Sequence, residues 1–212
     1  MKKEELLRQY LLGERDFRQI DLSQVILCEA SLPEINLSQA ILTQADLKDI
    51  NLSQALLTEA NLSQSLLNEA NLTKASLENA ILYRASMQFA NLSQAILTKA
   101  DLREVNLSEA LLYQAALKNA QLQRSNLSRA ILQRAFLREA NLSNAILSQA
   151  SLQQVNLTNA NLTGADLSGV NLEGAFLLEA NLQGANLEGA NLNRAIFTGS
   201  IMPDGSLYQR EG

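Results

Sequence analysis

The chain has 212 residues, 47% of them hydrophobic and only 4% aromatic, with a formal net charge of −5. That is ample for one hydrophobic core, and the negative balance opposes phosphate binding, so no nucleic-acid partner is expected. Histidine and tryptophan are absent. Without histidine there is no Ser-His-Asp or Cys-His nucleophile system and no usual zinc or non-haem iron ligand set. Catalytic, cofactor-binding and metal sites are therefore expected to be none. The lone cysteine, Cys28, permits no internal disulfide and fits a reducing compartment.

The first fifteen residues, MKKEELLRQYLLGER, carry charges inside their one apolar stretch. That pattern excludes a secretory h-region and a membrane span, so a soluble, cytoplasmic chain with no membrane partner is expected. Leu6, Leu7, Tyr10 and Leu11 share one helical face, which predicts an amphipathic helix over 2–12. Gly13 is placed to stop it.

From Phe17 to Met202 every fifth residue is a large apolar side chain. Of these 38 positions 34 are Leu, the others being Phe17, Met87, Phe197 and Met202. Two residues before each, from Ile20 to Ser200, stand 27 Ala, three Ile, four Val and three Ser. Period five matches neither regular template. On an α-helix, five residues advance about 500° and the Leu would precess around the axis. In a flat strand, inward positions alternate by two. Here the inward spacing is two (Ala30 to Leu32) and then three (Leu32 to Ile35), so alternation is reset once per pentapeptide, as at a corner. Repeated corners coil the chain, and stacked coils pair as parallel strands around a Leu-filled axis. The Asn residues just before the central Leu, such as Asn71, Asn91 and Asn141, can serve turn or inter-coil backbone groups. The period alone leaves the number of faces per coil open.

Segments such as Ala165-Asp166-Leu167-Ser168-Gly169 and Ala185-Asn186-Leu187-Glu188-Gly189 resemble the pentapeptide-repeat proteins, whose consensus is A(D/N)LXX. The resemblance covers roughly residues 16–200. It implies an all-β fold, a right-handed quadrilateral parallel β-helix with four pentapeptides per coil and a short N-terminal capping helix. About nine coils at the ~4.8 Å strand spacing would make a rod roughly 43 Å long. The ends resemble cyanobacterial members: Leu6 to Tyr10 with Gly13 to Phe17 looks like their cap, and Ile201-Met202-Pro203-Asp204-Gly205-Ser206 like a frequent terminator. The expected organisation is a helical cap over 1–15, one β-helix over 16–202 and a tail over 203–212. A β-helix exposes strand edges and an open bore at each end, so the helix can plug one end while Pro203 and its turn halt strand addition at the other. The sequence leaves monomer and homodimer equally open.

Gly occupies the third turn position at 164, 169, 174, 184, 189 and 199. Type II turns need positive φ there, so they are predicted at those corners, with mostly type I turns at the earlier corners, which carry Gln, Glu, Arg, Lys or Asn.

Folded at twenty residues per coil, the sequence becomes a surface map with three candidate partner-contact features. Glu29, Asp49 and Glu69 form an acidic ladder on one corner, continued by Phe89 and Glu109. Charge is also banded: residues 21–80 carry eight acids and two bases (−6), 83–140 four acids and eight bases (+4), and 141–200 four acids and one base (−3). The waist includes Arg124, Arg129 and Arg134, with Arg84, Glu104 and Arg124 in one column and Glu109 below Arg129, an arrangement expected to pair across coils. The third feature is an outward apolar column, with Leu56, Ile96, Ala116, Phe136, Phe176 and Ile196, interrupted by Asp16, Asn36, Ser76 and Asn156. Tyr83, Tyr113 and Leu178 point outward at corners, as does Cys28, read as an inert thiol.

With Leu filling the bore, flat faces and no cavity are expected, which favours a non-enzymatic rigid scaffold for protein–protein interaction, a regulatory protein docking one partner. The family resemblance implies the same, since one cyanobacterial member controls heterocyst differentiation through a protein partner. The alternative is a DNA-mimicking inhibitor of DNA gyrase, like the quinolone-resistance members. Against it stand central Phe confined to the ends, the basic waist and the lack of a loop insertion. An enzyme using paired carboxylates on a convex, wet corner would lack the desolvation that tunes acid–base groups.

Overall fold

The computed structural model describes residues 2–208, so the expected tail is described only as far as Tyr208. Helix α1, Lys3–Leu11, opens the chain. Every pentapeptide that follows contributes one bridge residue and one turn. The bridges are parallel and link residues twenty apart, from Asp16↔Asn36 to Asn181↔Ile201. One coil is therefore four pentapeptides, and the register never slips.

The pentapeptide around Asn91 shows why this sequence folds so. Asn91 N–H donates back to Ala70 O at 2.9 Å, while Leu92 and Gln94 donate forward to Leu111 O and Tyr113 O at 2.7 and 2.8 Å. Ala95 N–H closes the turn on Leu92 O at 3.0 Å. The fifth donor, Ser93 N–H, goes to the Asn91 side-chain Oδ1 at 3.0 Å. All five backbone donors are thus satisfied, the last by the polar side chain that the repeat prefers before Leu. The amide nitrogens add a second ladder: Asn71 Nδ2 donates to Asn51 Oδ1 at 3.2 Å and Asn191 Nδ2 to Asn171 Oδ1 at 3.0 Å. The Asn side chains thus serve the turn and each other; among the described residues no Asn amide nitrogen donates to the backbone of another coil.

Inside, every central residue from Leu22 to Leu182, Met87 included, exposes 2% or less of its surface. Small residues line the bore between them because Ala and Leu point inward from one short side, and a larger neighbour would overfill it. Ser65 and Ser125 are tolerated there because each hydroxyl donates to the carbonyl three residues back, at 2.7 Å.

The expected division into two turn types is overturned. The third turn residue has positive φ at every corner from Gln19 to Gly199, near 60° in non-glycine residues such as Gln64 and Arg134. All corners are therefore of the type II kind. Closure of a Leu-lined coil dictates the backbone, and the cost of positive φ, of order 1–2 kcal/mol for a side-chain-bearing residue, is offset by the inter-coil bonds.

At the N-terminal end Leu6 is fully buried and Leu7 and Tyr10 pack on the core, but Leu11 is 84% exposed and is no part of the plug. The helix docks through its Leu6–Tyr10 edge only, with Tyr10 donating its hydroxyl to Pro33 O at 2.8 Å. Gly13, φ +98°, ends the helix and turns the chain into the first coil. At the other end Gly205 N–H bonds Met202 O at 2.9 Å, and Leu207 pairs antiparallel with Ile201. The chain thereby doubles back, and the Tyr208 ring lies 5.6 Å from Phe197.

Candidate functional site

With the bore filled, chemistry is confined to outward positions. The acidic ladder exists as a stack: Glu29, Asp49 and Glu69 occupy the same turn position in successive coils, with Phe89, 52% exposed, beyond them. No cluster of three or more His, Cys, Asp or Glu that could hold a metal occurs among the described residues. Cys28 is half-buried.

The basic waist encircles the rod and forms no single patch. Arg124, Arg129 and Arg134 stand at consecutive turns, hence on three different corners. Cross-coil neutralisation is partial. Arg84 Nε donates to Glu104 at 2.7 Å, and this bond holds the Glu104 carboxyl below its ordinary 4.5. Arg103 instead forks onto Asp101 in its own pentapeptide, at 2.8 and 2.6 Å, which lowers the Asp101 carboxyl. Both guanidinium groups lie over the Tyr83 ring, Arg84 at 4.9 Å and Arg103 at 5.6 Å from its centre. The expected pairing of Glu109 with Arg129 is not made: Arg129 Nε reaches the other way, to Gln149 Oε1 at 3.1 Å. Arg134 does likewise with Gln154 at 2.9 Å. A guanidinium between a carboxylate and an amide at equal spacing turns on local packing, because exposed ion pairs contribute little.

The bridge ladder through this column is continuous, Phe136 to Asn156, Asn156 to Phe176 and Phe176 to Ile196, while Asn156 interrupts its apolar side chains. Phe136 is 52% exposed, and Phe176 and Ile196 are each 41% exposed. This face is not flat. Asn156 is shorter than the rings on either side, and Gly174 has no side chain where Arg134 and Gln154 have long ones. The result is a recess of about 420 Å³ lined by Arg134, Phe136, Gln154, Asn156, Gly174 and Phe176. The sequence carried its signal as a dip in the apolar column beside a glycine in the neighbouring column, a pattern visible only once the twenty-residue coil is known. Of the candidate contact residues, the fold thus joins Glu29 with Asp49 and Glu69, and Phe136 with Arg134, Phe176 and Ile196. It separates these two sets; Arg129 stands on the ladder's own corner, three coils beyond Glu69, and Arg124 stands on another corner.

A parallel coil of four Leu-centred pentapeptides, with most of its variation on the outside, defines a repeat protein. The profile of the pentapeptide repeats matches residues 12–44, 45–84, 85–123, 120–159 and 160–199, and the chain belongs to the pentapeptide-repeat family. None of the curated proteins compared matches it. Among solved structures it is similar to HetL, a pentapeptide repeat protein involved in heterocyst differentiation regulation from the cyanobacterium Nostoc sp. PCC 7120. That likeness has 38% identity over 98% of this chain and 100% of HetL, with a TM-score of 0.57. It is also similar to Rfr23 from the cyanobacterium Cyanothece 51142, with 47% identity over 40% of this chain and 58% of that one, TM-score 0.40. QnrB1, a plasmid-mediated fluoroquinolone resistance protein, matches at 16% identity over 85% of this chain and 89% of its own, TM-score 0.46.

Proposed function

We infer that the protein is a non-enzymatic, rigid regulatory scaffold that acts by docking one protein partner on its outer surface. The observation that carries this reading is the likeness to HetL along the whole of both chains, HetL being involved in a regulatory process. A filled bore supports it, because an enzyme needs an enclosed, desolvated site and here Leu and Ala occupy the interior. In this reading the functional unit is one right-handed β-helix of about nine coils over 16–202, at roughly 4.8 Å per coil. It is closed at one end by the 1–15 cap, carries the 203–212 tail at the other and works in a reducing, cytoplasmic setting.

The test is affinity purification of the full chain from native lysate of its source organism, followed by mass spectrometry. One protein retained in near-equimolar amount supports the reading, and no retained protein overturns it. DNA gyrase supercoiling should proceed unchanged at micromolar levels of the protein. Inhibition would replace a regulatory partner with a DNA-mimicking role.

A further inference from the structure

We propose that the recess between Phe136 and Phe176 is a docking site for an acidic peptide segment, taking one bulky apolar side chain over Asn156 with a carboxylate beside it on the Phe136 side. This proposal rests on the scaffold reading and names where and what that scaffold binds.

Two observations carry it. First, size and lining fit a side chain. The two rings lie two coils apart, about 9.6 Å at the usual strand spacing, and the recess of about 420 Å³ between them has aromatic walls and an amide floor. Such a slot removes an inserted apolar group from water on two sides.

Second, charge selects the flank. Arg134 lines the recess and Arg138 lies at the opposite edge of the same face, both exposed. Neither has a carboxylate partner among the described residues. Arg134 is held by neutral groups, Gln154 and the Tyr113 hydroxyl, and so keeps its full charge for a ligand. Nearby Lys118 reaches Glu139 only at 3.9 Å. Around Phe176 the sign reverses, with Glu173 and Glu179 exposed. A bound segment is therefore oriented, carboxylate toward Phe136 and away from Phe176.

The ring positions also allow a test that keeps the fold, because a polar residue there completes the turn. Asn156 Oδ1 accepts Thr158 N–H at 3.1 Å, the fifth backbone bond of its pentapeptide. Phe136 and Phe176 cannot accept, and Arg138 N–H and Leu178 N–H have no partner among the described residues. Ile96, Leu111 and Ile146 forgo the same bond, so an Asn placed at Phe136 restores a turn bond without disturbing the coil.

The experiment pans a random dodecapeptide display library against the full-length protein and measures the enriched peptides, synthesised and fluorescently labelled, by polarisation. Expected are peptides with Trp, Phe or Leu next to Asp or Glu. Their affinity should fall at least tenfold in Phe136→Asn, Arg134→Glu and Gly174→Gln, and stay unchanged in the remote variant Glu69→Gln. Asn, Glu and Gln occur at equivalent positions of other coils, at Asn156, Glu59 and Gln154, so these variants keep the fold, and circular dichroism checks this. Basic or uncharged consensus peptides, no enrichment, or binding indifferent to these variants would overturn the proposal. So would binding of labelled oligo(dT) at this face, which would make the Phe–Arg pair a nucleic-acid contact. A lysate partner still captured by the Phe136→Asn, Phe176→Asn double variant sinks this site and leaves the scaffold reading standing. Absence of any partner for the unaltered protein sinks the scaffold reading itself.

Discussion

Arg84 Nε donates to the Glu104 carboxylate at 2.7 Å across one coil, while Tyr83 donates its hydroxyl to the same group at 3.4 Å. Both bonds favour the charged carboxylate, the Arg84 bond most, and so its pKa lies below the ordinary 4.5. A pKa lower in the folded than in the unfolded state adds stability above the unfolded value, and that contribution is lost as pH falls through the folded one. Asp101 with Arg103 and Asp16 with Arg18 shift the same way. Carbon-13 titration of Glu104 should give a midpoint below 4.5 that rises in Arg84→Ala, and the melting temperature should fall as pH drops below about 4.5. A Glu104 midpoint indifferent to Arg84 would show that the pair is not formed in solution.

Phe136 and Leu137 are neighbours with opposite roles. Phe136→Asn loses half-buried ring surface, costing about 1 kcal/mol, and gains an acceptor for Arg138 N–H, contributing about 1 kcal/mol. The net change should stay within about 1 kcal/mol by urea denaturation. Leu137→Ala, fully buried, should cost about 3–5 kcal/mol, since the bore walls are backbone ladders that cannot collapse onto the void. Equal costs for the two would contradict the inward–outward division.

Ser125 tests whether the bore needs its rare hydroxyls. Its Oγ donates to Leu122 O at 2.7 Å, and its own N–H donates to the same carbonyl at 3.1 Å. Ser125→Ala removes the hydroxyl and leaves the carbonyl bonded, so stability should change by less than about 1 kcal/mol and more readily rise than fall. Ala120→Leu, one pentapeptide earlier, should instead cost about 1–3 kcal/mol by overpacking. A large loss in Ser125→Ala would reveal a structural role for the hydroxyl that its local bond does not explain.

Leu6 is the helix residue sunk into the open end. Leu6→Ala should destabilise locally, by about 2–5 kcal/mol. Because each coil contacts only its neighbours, the loss should be felt first in the nearest one. Hydrogen exchange of amides such as Leu22 and Leu27 should speed up while Leu112 and Leu132 stay protected. Uniform acceleration along the rod would indicate a single cooperative unit.

Much of this architecture was legible in residue order. The unslipped Leu spacing gave the inward face, the small partners two residues before gave the narrow bore, and Gly13 gave the helix end. The surface is less legible. Turn type failed because residues such as Gln64 and Arg134 carry no sign of positive φ; it is imposed by the coil they close. The Glu109–Arg129 pair failed because Gln149 offers Arg129 an amide at similar reach on the other side. Helical periodicity places Leu11 on the apolar face, but the helix meets the rod along the Leu6–Tyr10 edge alone and Leu11 stays exposed.

By itself, then, the sequence determined which side chains go in and which go out, since a five-residue beat of Leu and Ala can bury its apolar groups only by turning once per beat. Tertiary structure decided everything that depends on the stacking of coils: the twenty-residue register, the handed twist of every turn residue, and the recess where Asn156 and Gly174 fall between two rings. Residues twenty and forty apart become neighbours only when backbone bonds close the coil, and no local preference of Phe136 or Phe176 announces the other.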